Sequence, residues 1–287
     1  MTLGLLVSGG LGYTCLFDII KCFKVNFVMT DKGSESIIQY CRDHKIICYV
    51  GNPRNGKGRN KLGNLRCDVL LSINYLFIVE KDIISLAEKI AINFHGSLLP
   101  KYRGRTPHVW AIINNEKYTG ITAHVISEHC DEGDIIYQEK IEIDDQNTGA
   151  EILQIYYERY PDIIKHVIQL VESDTVKCIK QDHCKATYFH KRTPTDARIN
   201  WAWQKERIRN WVRAQARPYP GAYATYRGIQ INIHKIEYDD TGFDQHEING
   251  KVIEKINGQP IIKTNNGAIK LIDFEPPINF EVNSLFE

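Results

Sequence analysis

The sequence has no CxxC pair among its eight cysteines and no apolar run near the roughly 20 residues that cross a bilayer. The opening MTLGLLVSGGLGYTC lacks the basic start, long apolar stretch and small-residue cleavage site of a secretory leader. Cys15, Cys22, Cys41, Cys48, Cys67, Cys130, Cys178 and Cys184 are scattered, several in apolar contexts where cysteine behaves as a small hydrophobe. Together these absences argue against a disulfide framework and a membrane span, and make a reducing cytoplasm the expected location. Charge of one sign is also lacking: 36 basic against 35 acidic side chains leave +1, so nothing in the balance demands nucleic acid or an anionic membrane. No internal repeat is visible.

What is present suits one large domain and a smaller one: 287 residues, 43% hydrophobic and 25% charged. Apolar runs at residues 3–7, 25–29, 46–50, 68–73, 90–94 and 119–126 read as strands, with helical spacing at 16–23 and 34–44. The runs are continuous rather than alternating, which predicts strands buried on both faces of an open, Rossmann-like α/β sheet. The sheet should be mostly parallel, with helices on both faces. Residues 51–66 (GNPRNGKGRNKLGNLR) are rich in glycine, asparagine and basic side chains and read as a flexible exposed loop. Thr148 is a plausible N-cap for a long helix that Pro161 should kink or split.

Beyond a linker at 176–200, the pattern changes. A basic helix at 202–216 carries Arg209, Arg213 and Arg217 as a stripe, with Ile208, Trp211, Val212 and Gln215 opposite. Runs at 223–226, 229–236, 251–256, 260–263 and 269–274 follow, with turns at Asn257-Gly258 and Asn265-Asn266-Gly267. The expected division is a catalytic domain over 1–175 and a small, mainly antiparallel β domain with its helix over 201–287.

The most unusual stretch leaves a buried strand at Ile92-Asn93-Phe94-His95 and enters a loop, Gly96-Ser97-Leu98-Leu99-Pro100-Lys101-Tyr102-Arg103-Gly104-Arg105-Thr106-Pro107. Open α/β sheets bind ligands beyond the carboxyl ends of their strands, where this loop would lie. Asn93 and His95 are two apart, so on a strand their side chains share a face. Downstream, Cys130-Asp131-Glu132-Gly133-Asp134 follows another strand and can bring a carboxylate to the same edge; Asp131 and Asp134 compete for that role. His108, His124 and His129 read as satisfied local groups.

NFHGSLLPKYRGRTP, then TGIT-H, then D-x-G-D-I-I, resembles the signature of the folate-dependent formyltransferases. The likeness spans roughly residues 65 to 225 and is closer to the sugar-modifying and tRNA branches than to the shorter purine enzyme. It implies N10-formyltetrahydrofolate as donor, no metal, and Asn93, His95 and Asp131 as catalytic trio. It further implies donor contacts at Leu76, Phe77, Ile78 and Asp134. Acceptor contacts are expected at Ser8, Gly9 and Gly10 and at Tyr102, Arg103 and Arg105, whose guanidinium forks match phosphate oxygens.

Two other patterns compete. Gly10-Leu11-Gly12 after the first strand, with Asp31 closing the second, imitates a dinucleotide fingerprint, but Cys15 stands where the third glycine belongs. An NAD(P)-dependent oxidoreductase is the weaker alternative on that ground. Cys178, His183, Cys184 and His190 match no standard zinc spacing. For the acceptor, a methionyl-tRNA formyltransferase would want a wider basic surface than one arginine stripe. A compact nucleotide-linked amino sugar fits better, and the resemblance implies a dTDP-linked amino-dideoxy sugar, dTDP-4-amino-4,6-dideoxyglucose ahead of its 3-amino isomers. Such a product would feed bacterial O-antigen synthesis, and exposed C-terminal hairpins suggest a homodimer.

Overall fold

The computed structural model describes residues 1–287. In chain order the elements are β1 (Thr2–Val7), α1 (Gly9–Ile19), β2 (Lys24–Thr30), α2 (Glu35–Asp43), β3 (Cys48–Val50), α3 (Lys57–Leu62), β4 (Cys67–Ile73) and α4 (Lys81–Ile84). There follow β5 (Ala87–His95), β6 (Arg103–Gly104), α5 (Pro107–Ile113), β7 (Tyr118–Val125), β8 (Ile135–Glu142), α6 (Gly149–Glu172) and β9 (Tyr188–Phe189). The chain ends with α7 (Lys205–Arg213), β10 (Ala222–Tyr226), β11 (Ile229–Asp239), β12 (Val252–Ile256), β13 (Gln259–Thr264) and β14 (Gly267–Glu275).

Two compact units result. The first comprises Met1–Gly104, Thr119–Ile141 and Gln154–Phe189. Its seven-stranded sheet has the order β3-β2-β1-β4-β5-β7-β8. The first five strands pair in parallel and β7 runs antiparallel to β5. Leu3, Leu5, Leu6, Val7, Val69, Leu70 and Leu71 are all wholly buried, so consecutive side chains on both faces are covered, as the continuous apolar runs require. The strand order reverses between β1 and β4, which makes the gap beyond their carboxyl ends the switch point of the sheet. Asn74 Nδ2 donates to the Ser8 carbonyl at 3.0 Å and ties the two loops that border it.

The 51–66 segment departs from expectation. It contains α3, where Gly58 and Leu62 are buried. A Cβ on Gly58 would sit 2.7 Å from both Met29 and Pro53, and Leu62 joins the core cluster with Phe27, Met29 and Ile83. One leucine and one glycine suffice to seat the turn, too little apolar content for periodicity to register. The second surprise is α6, which runs unbroken through Pro161. Its start is as expected: Thr148 and Glu151 form a reciprocal capping box, Glu151 N–H to Thr148 Oγ1 at 3.2 Å and Thr148 N–H to Glu151 Oε2 at 2.7 Å.

The second unit comprises Arg105–Tyr118, Glu142–Leu153 and His190–Glu287. Its five-stranded sheet has the order β10-β11-β14-β13-β12, antiparallel throughout. Asn257 and Gly258 both take positive φ, 51° and 82°, as a two-residue primed turn requires.

Candidate active site

Pairing of β5 with β7 sets Asn93 opposite His124 and His95 opposite Thr122. His124 Nδ1 lies 2.9 Å from the Val125 carbonyl, an acceptor only, so Nδ1 carries a proton and Nε2 of the neutral ring offers a lone pair. The Asn93 amide nitrogen fills it at 3.0 Å and reaches Asp131 Oδ1 at 3.4 Å. His95 is fixed the same way: its Nε2 donates to the Tyr102 carbonyl at 2.8 Å, leaving Nδ1 3.6 Å from Asp131 Oδ2. Asp131 is thus 9% exposed and stands among an amide and two imidazoles.

Asp131 itself sits on a left-handed residue, φ 57°, a conformation Asp tolerates better than most. The Gly104 N–H donates to its Oδ2 at 2.9 Å. Burial alone would raise its carboxyl; His95 and then His124 beside it, when protonated, together with the Gly104 amide, outweigh that and hold it well below the usual carboxylate range. Gln181 Nε2 binds the carbonyls of Asp131 and Gly133 at 2.8 and 2.7 Å. Gly133 is pressed against β7, where a Cβ would fall 1.8 Å from the Val125 carbonyl oxygen.

Arg103 occupies a place sequence reasoning did not foresee. It is fully buried, its fork taken up by Gln181 Oε1 at 2.7 and 3.3 Å, by the Tyr188 hydroxyl, and by Glu132 at 3.2 Å. Through Gln181 it braces the Asp131 turn. Tyr102, left-handed at φ 61°, stacks on Phe189 with centroids 4.9 Å apart and presents its carbonyl to His95. Arg105 belongs to the second unit and is half-buried. Asp134 contributes its main-chain carbonyl to the Val125 N–H at 2.9 Å. Of the two competing acids, Asp131 is the one beside His95.

The remaining candidates border the switch point. Ser8 is buried, whereas Gly9 and Gly10 are exposed at the start of α1. Gly9 N–H donates to Ser34 Oγ at 2.9 Å, and Ser34 Oγ donates in turn to Asp31 Oδ2 at 2.5 Å. The Asp31 carboxylate is engaged by Ser34 and Gly33 within its own turn, an arrangement unlike a ribose-binding acid. Leu76 and Ile78 follow β4 at 43% and 58% exposure, with Phe77 half-buried between them. Exposed apolar side chains at the rim of a crevice suit the flat face of an aromatic ligand.

The formyl transferase domain matches residues 43–168 and the formyl transferase C-terminal domain residues 191–281. The chain belongs to the formyl transferase family. It is 33% identical over 264 residues to the bifunctional polymyxin resistance protein ArnA of Wigglesworthia glossinidia brevipalpis, covering 88% of this chain but only 39% of that relative's length. Among solved structures it resembles WlaRD, a sugar 3N-formyl transferase determined in the presence of dTDP and 5-N-formyl-THF. That match has 22% identity and a TM-score of 0.74 over 94% of this chain and 97% of the other. The N-formyltransferase of Helicobacter canadensis, in complex with folinic acid and dTDP-3-aminofucose, matches at 21% identity and a TM-score of 0.71 over 94% and 97%. A 4-N formyltransferase from Francisella tularensis matches at 21% identity and 0.65 over 77% and 91%.

Proposed function

We propose that the protein transfers a formyl group from N10-formyltetrahydrofolate to the amine of a dTDP-linked amino-dideoxy sugar. The observation that carries this reading is the cluster of Asn93, His95 and Asp131 at the carboxyl edge of the sheet of a formyl transferase. The acceptor class rests on the likeness to sugar N-formyltransferases along nearly the whole chain. Leu76, Phe77 and Ile78, with Asp134, would receive the folate; the exposed apolar rim fits its ring system. Ser8, Gly9 and Gly10 would border the acceptor, with Tyr102 shaping its path and Arg103 acting from beneath.

Bound folate supplies the formyl carbon that the sugar amine attacks. Negative charge then develops on the formyl oxygen, and the Asn93 N–H that reaches Asp131 at only 3.4 Å is the donor free to turn to it. One such donor is worth about 3 to 4 kcal/mol of barrier. The amine nitrogen must lose a proton and the leaving nitrogen gain one. His95 Nδ1 is the acceptor on this route, and Asp131 at 3.6 Å balances the imidazolium that forms. General acid–base action of this kind supplies about 10² to 10⁴ in rate.

No helix is long and apolar enough to cross a membrane. The reading carries with it a cytoplasmic homodimer feeding O-antigen synthesis, checked by sedimentation and by cell fractionation. The acceptor is tested by incubating the protein with the folate donor and dTDP- and UDP-linked 3-amino and 4-amino sugars, following tetrahydrofolate release. Turnover with dTDP-4-amino-4,6-dideoxyglucose above the others is expected. Turnover only with charged initiator tRNA would replace the sugar by that acceptor.

A further inference from the structure

The second unit holds a cavity of about 260 Å³ that shares no residue with the Asn93, His95 and Asp131 group. It opens among α7, β11, β14 and the loop before α6. Its charge is one-sided, with Arg209, Arg213, Arg217 and Lys235 set against the single carboxylate of Asp273. Asp273 is already bound by Arg217 at 3.3 Å, and Arg217 also reaches Glu275 at 3.5 Å. Lys235 stands 3.9 Å from Glu237.

Arg209 and Arg213 have no carboxylate partner. Arg209 donates to the Asp145 carbonyl at 2.8 Å and lies over the Tyr238 ring at 5.5 Å. Arg213 is only 8% exposed. Its Nε binds Asn210 Oδ1 at 2.8 Å and its Nη1 the carbonyls of Asp144 and Asn147 at 3.1 and 2.6 Å, which leaves Nη2 without a protein acceptor. Burial depresses the Arg213 guanidinium and the neighbouring Arg209 charge depresses it further, outweighing the opposing pull of the nearby Asp145 and Asp144 carboxylates. Two adjacent guanidiniums, one of them buried and neither in an ion pair, form an arrangement that a bound anion would complete.

We propose that this cavity is an oxyanion site that takes inorganic phosphate or the phosphate end of a small monoester. A guanidinium fork presents paired N–H groups at the spacing of phosphate oxygens, and Lys235 adds a point charge at the rim. The volume lies below the roughly 300 to 1,000 Å³ of sites that enclose drug-sized ligands, so it has room for a phosphate and a few carbons rather than a nucleotide sugar. A polynucleotide backbone, by contrast, calls for an open basic surface, whereas Arg213 is recessed. The proposal does not depend on which amine is formylated.

The test is calorimetric titration of the full chain, at fixed ionic strength, with inorganic phosphate, ribose 5-phosphate and mixed tRNA in separate arms. Arg209→Gln and Lys235→Gln are the variants, because Arg213 secures the loop at 144–147 through two carbonyls where Arg209 reaches it through one and Lys235 through none. Wild type should bind phosphate or the monoester, whichever is tighter naming the source. Arg209→Gln should weaken that binding about tenfold or more and Lys235→Gln should weaken it too, with formyl transfer unchanged in both and melting temperature unchanged in Lys235→Gln, which holds no part of that loop. Absence of binding at millimolar phosphate, equal affinity in wild type and both variants, or loss in the variants of tRNA binding alone would each overturn the proposal.

Discussion

The Asn93 amide nitrogen lies 3.0 Å from Nε2 of His124, the residue directly opposite it on the neighbouring strand. With Nδ1 of the neutral His124 ring donating to the Val125 carbonyl, Nε2 accepts from Asn93, and the Asn93 amide is held with its nitrogen toward Asp131. His124→Ala should therefore leave the fold in place and lower kcat by about tenfold to a hundredfold, the scale of a misplaced reacting group. A kcat close to wild type would show that Asn93 needs no such anchor.

Asp131→Asn separates charge from shape. Asparagine accepts the same left-handed backbone and can still receive the Gly104 N–H. Formyl transfer should fall by about 10² or more while secondary structure stays intact. The pH dependence of stability follows from the depressed carboxyl. Its contribution is fully present above the unfolded value near 4 and is lost as the pH falls through the lower folded value. Urea midpoints of wild type and Asp131→Asn should therefore converge as the pH drops below about 4. A constant difference down to the acid limit would contradict this.

Gly104→Ala should damage fold and chemistry together. Gly104 has φ 100°, and a Cβ there would fall 2.2 Å from the Phe189 carbonyl oxygen. Relief requires β6 to part from β9, which withdraws the amide from Asp131. A loss of about 2 kcal/mol or more in chemical denaturation is expected, with reduced activity. Unchanged stability would mean that the turn can move freely.

His108 gives an independent pH signature in the second unit. Burial pushes its imidazole down to about 4, and Nε2 lies 3.2 Å from the Tyr219 hydroxyl. The unfolded chain then takes up a proton first as acid is added. Stability is full above about 6.5 and falls as the pH drops toward 4, by about 3 kcal/mol at most. Thermal melts of His108→Gln over that range should show a shallower decline than wild type; parallel declines would refute the assignment.

Much of the first sheet was legible because buried parallel strands leave continuous apolar runs, as at residues 3–7 and 68–73. Asn93 and His95 were legible as alternate residues at a strand end. His124 was not, since its role exists only through cross-strand register, which a linear reading does not contain. The burial of Arg103 was not legible for a related reason. The sequence points its guanidinium at the acceptor's phosphates, and only the packing of Gln181 and Tyr188 over it, some 80 residues away in the chain, buries it. The arginines of α7 looked like a surface stripe, but the loop at 144–147 folds back to receive Arg213.

The central claim is tested most directly by amine-dependent release of tetrahydrofolate from N10-formyltetrahydrofolate, measured for wild type and His95→Asn with the same dTDP-amino sugar. The account predicts steady release by wild type and a loss of about 10² or more in the variant, at unchanged melting temperature. A folded His95→Asn protein that releases tetrahydrofolate at close to the wild-type rate would contradict it.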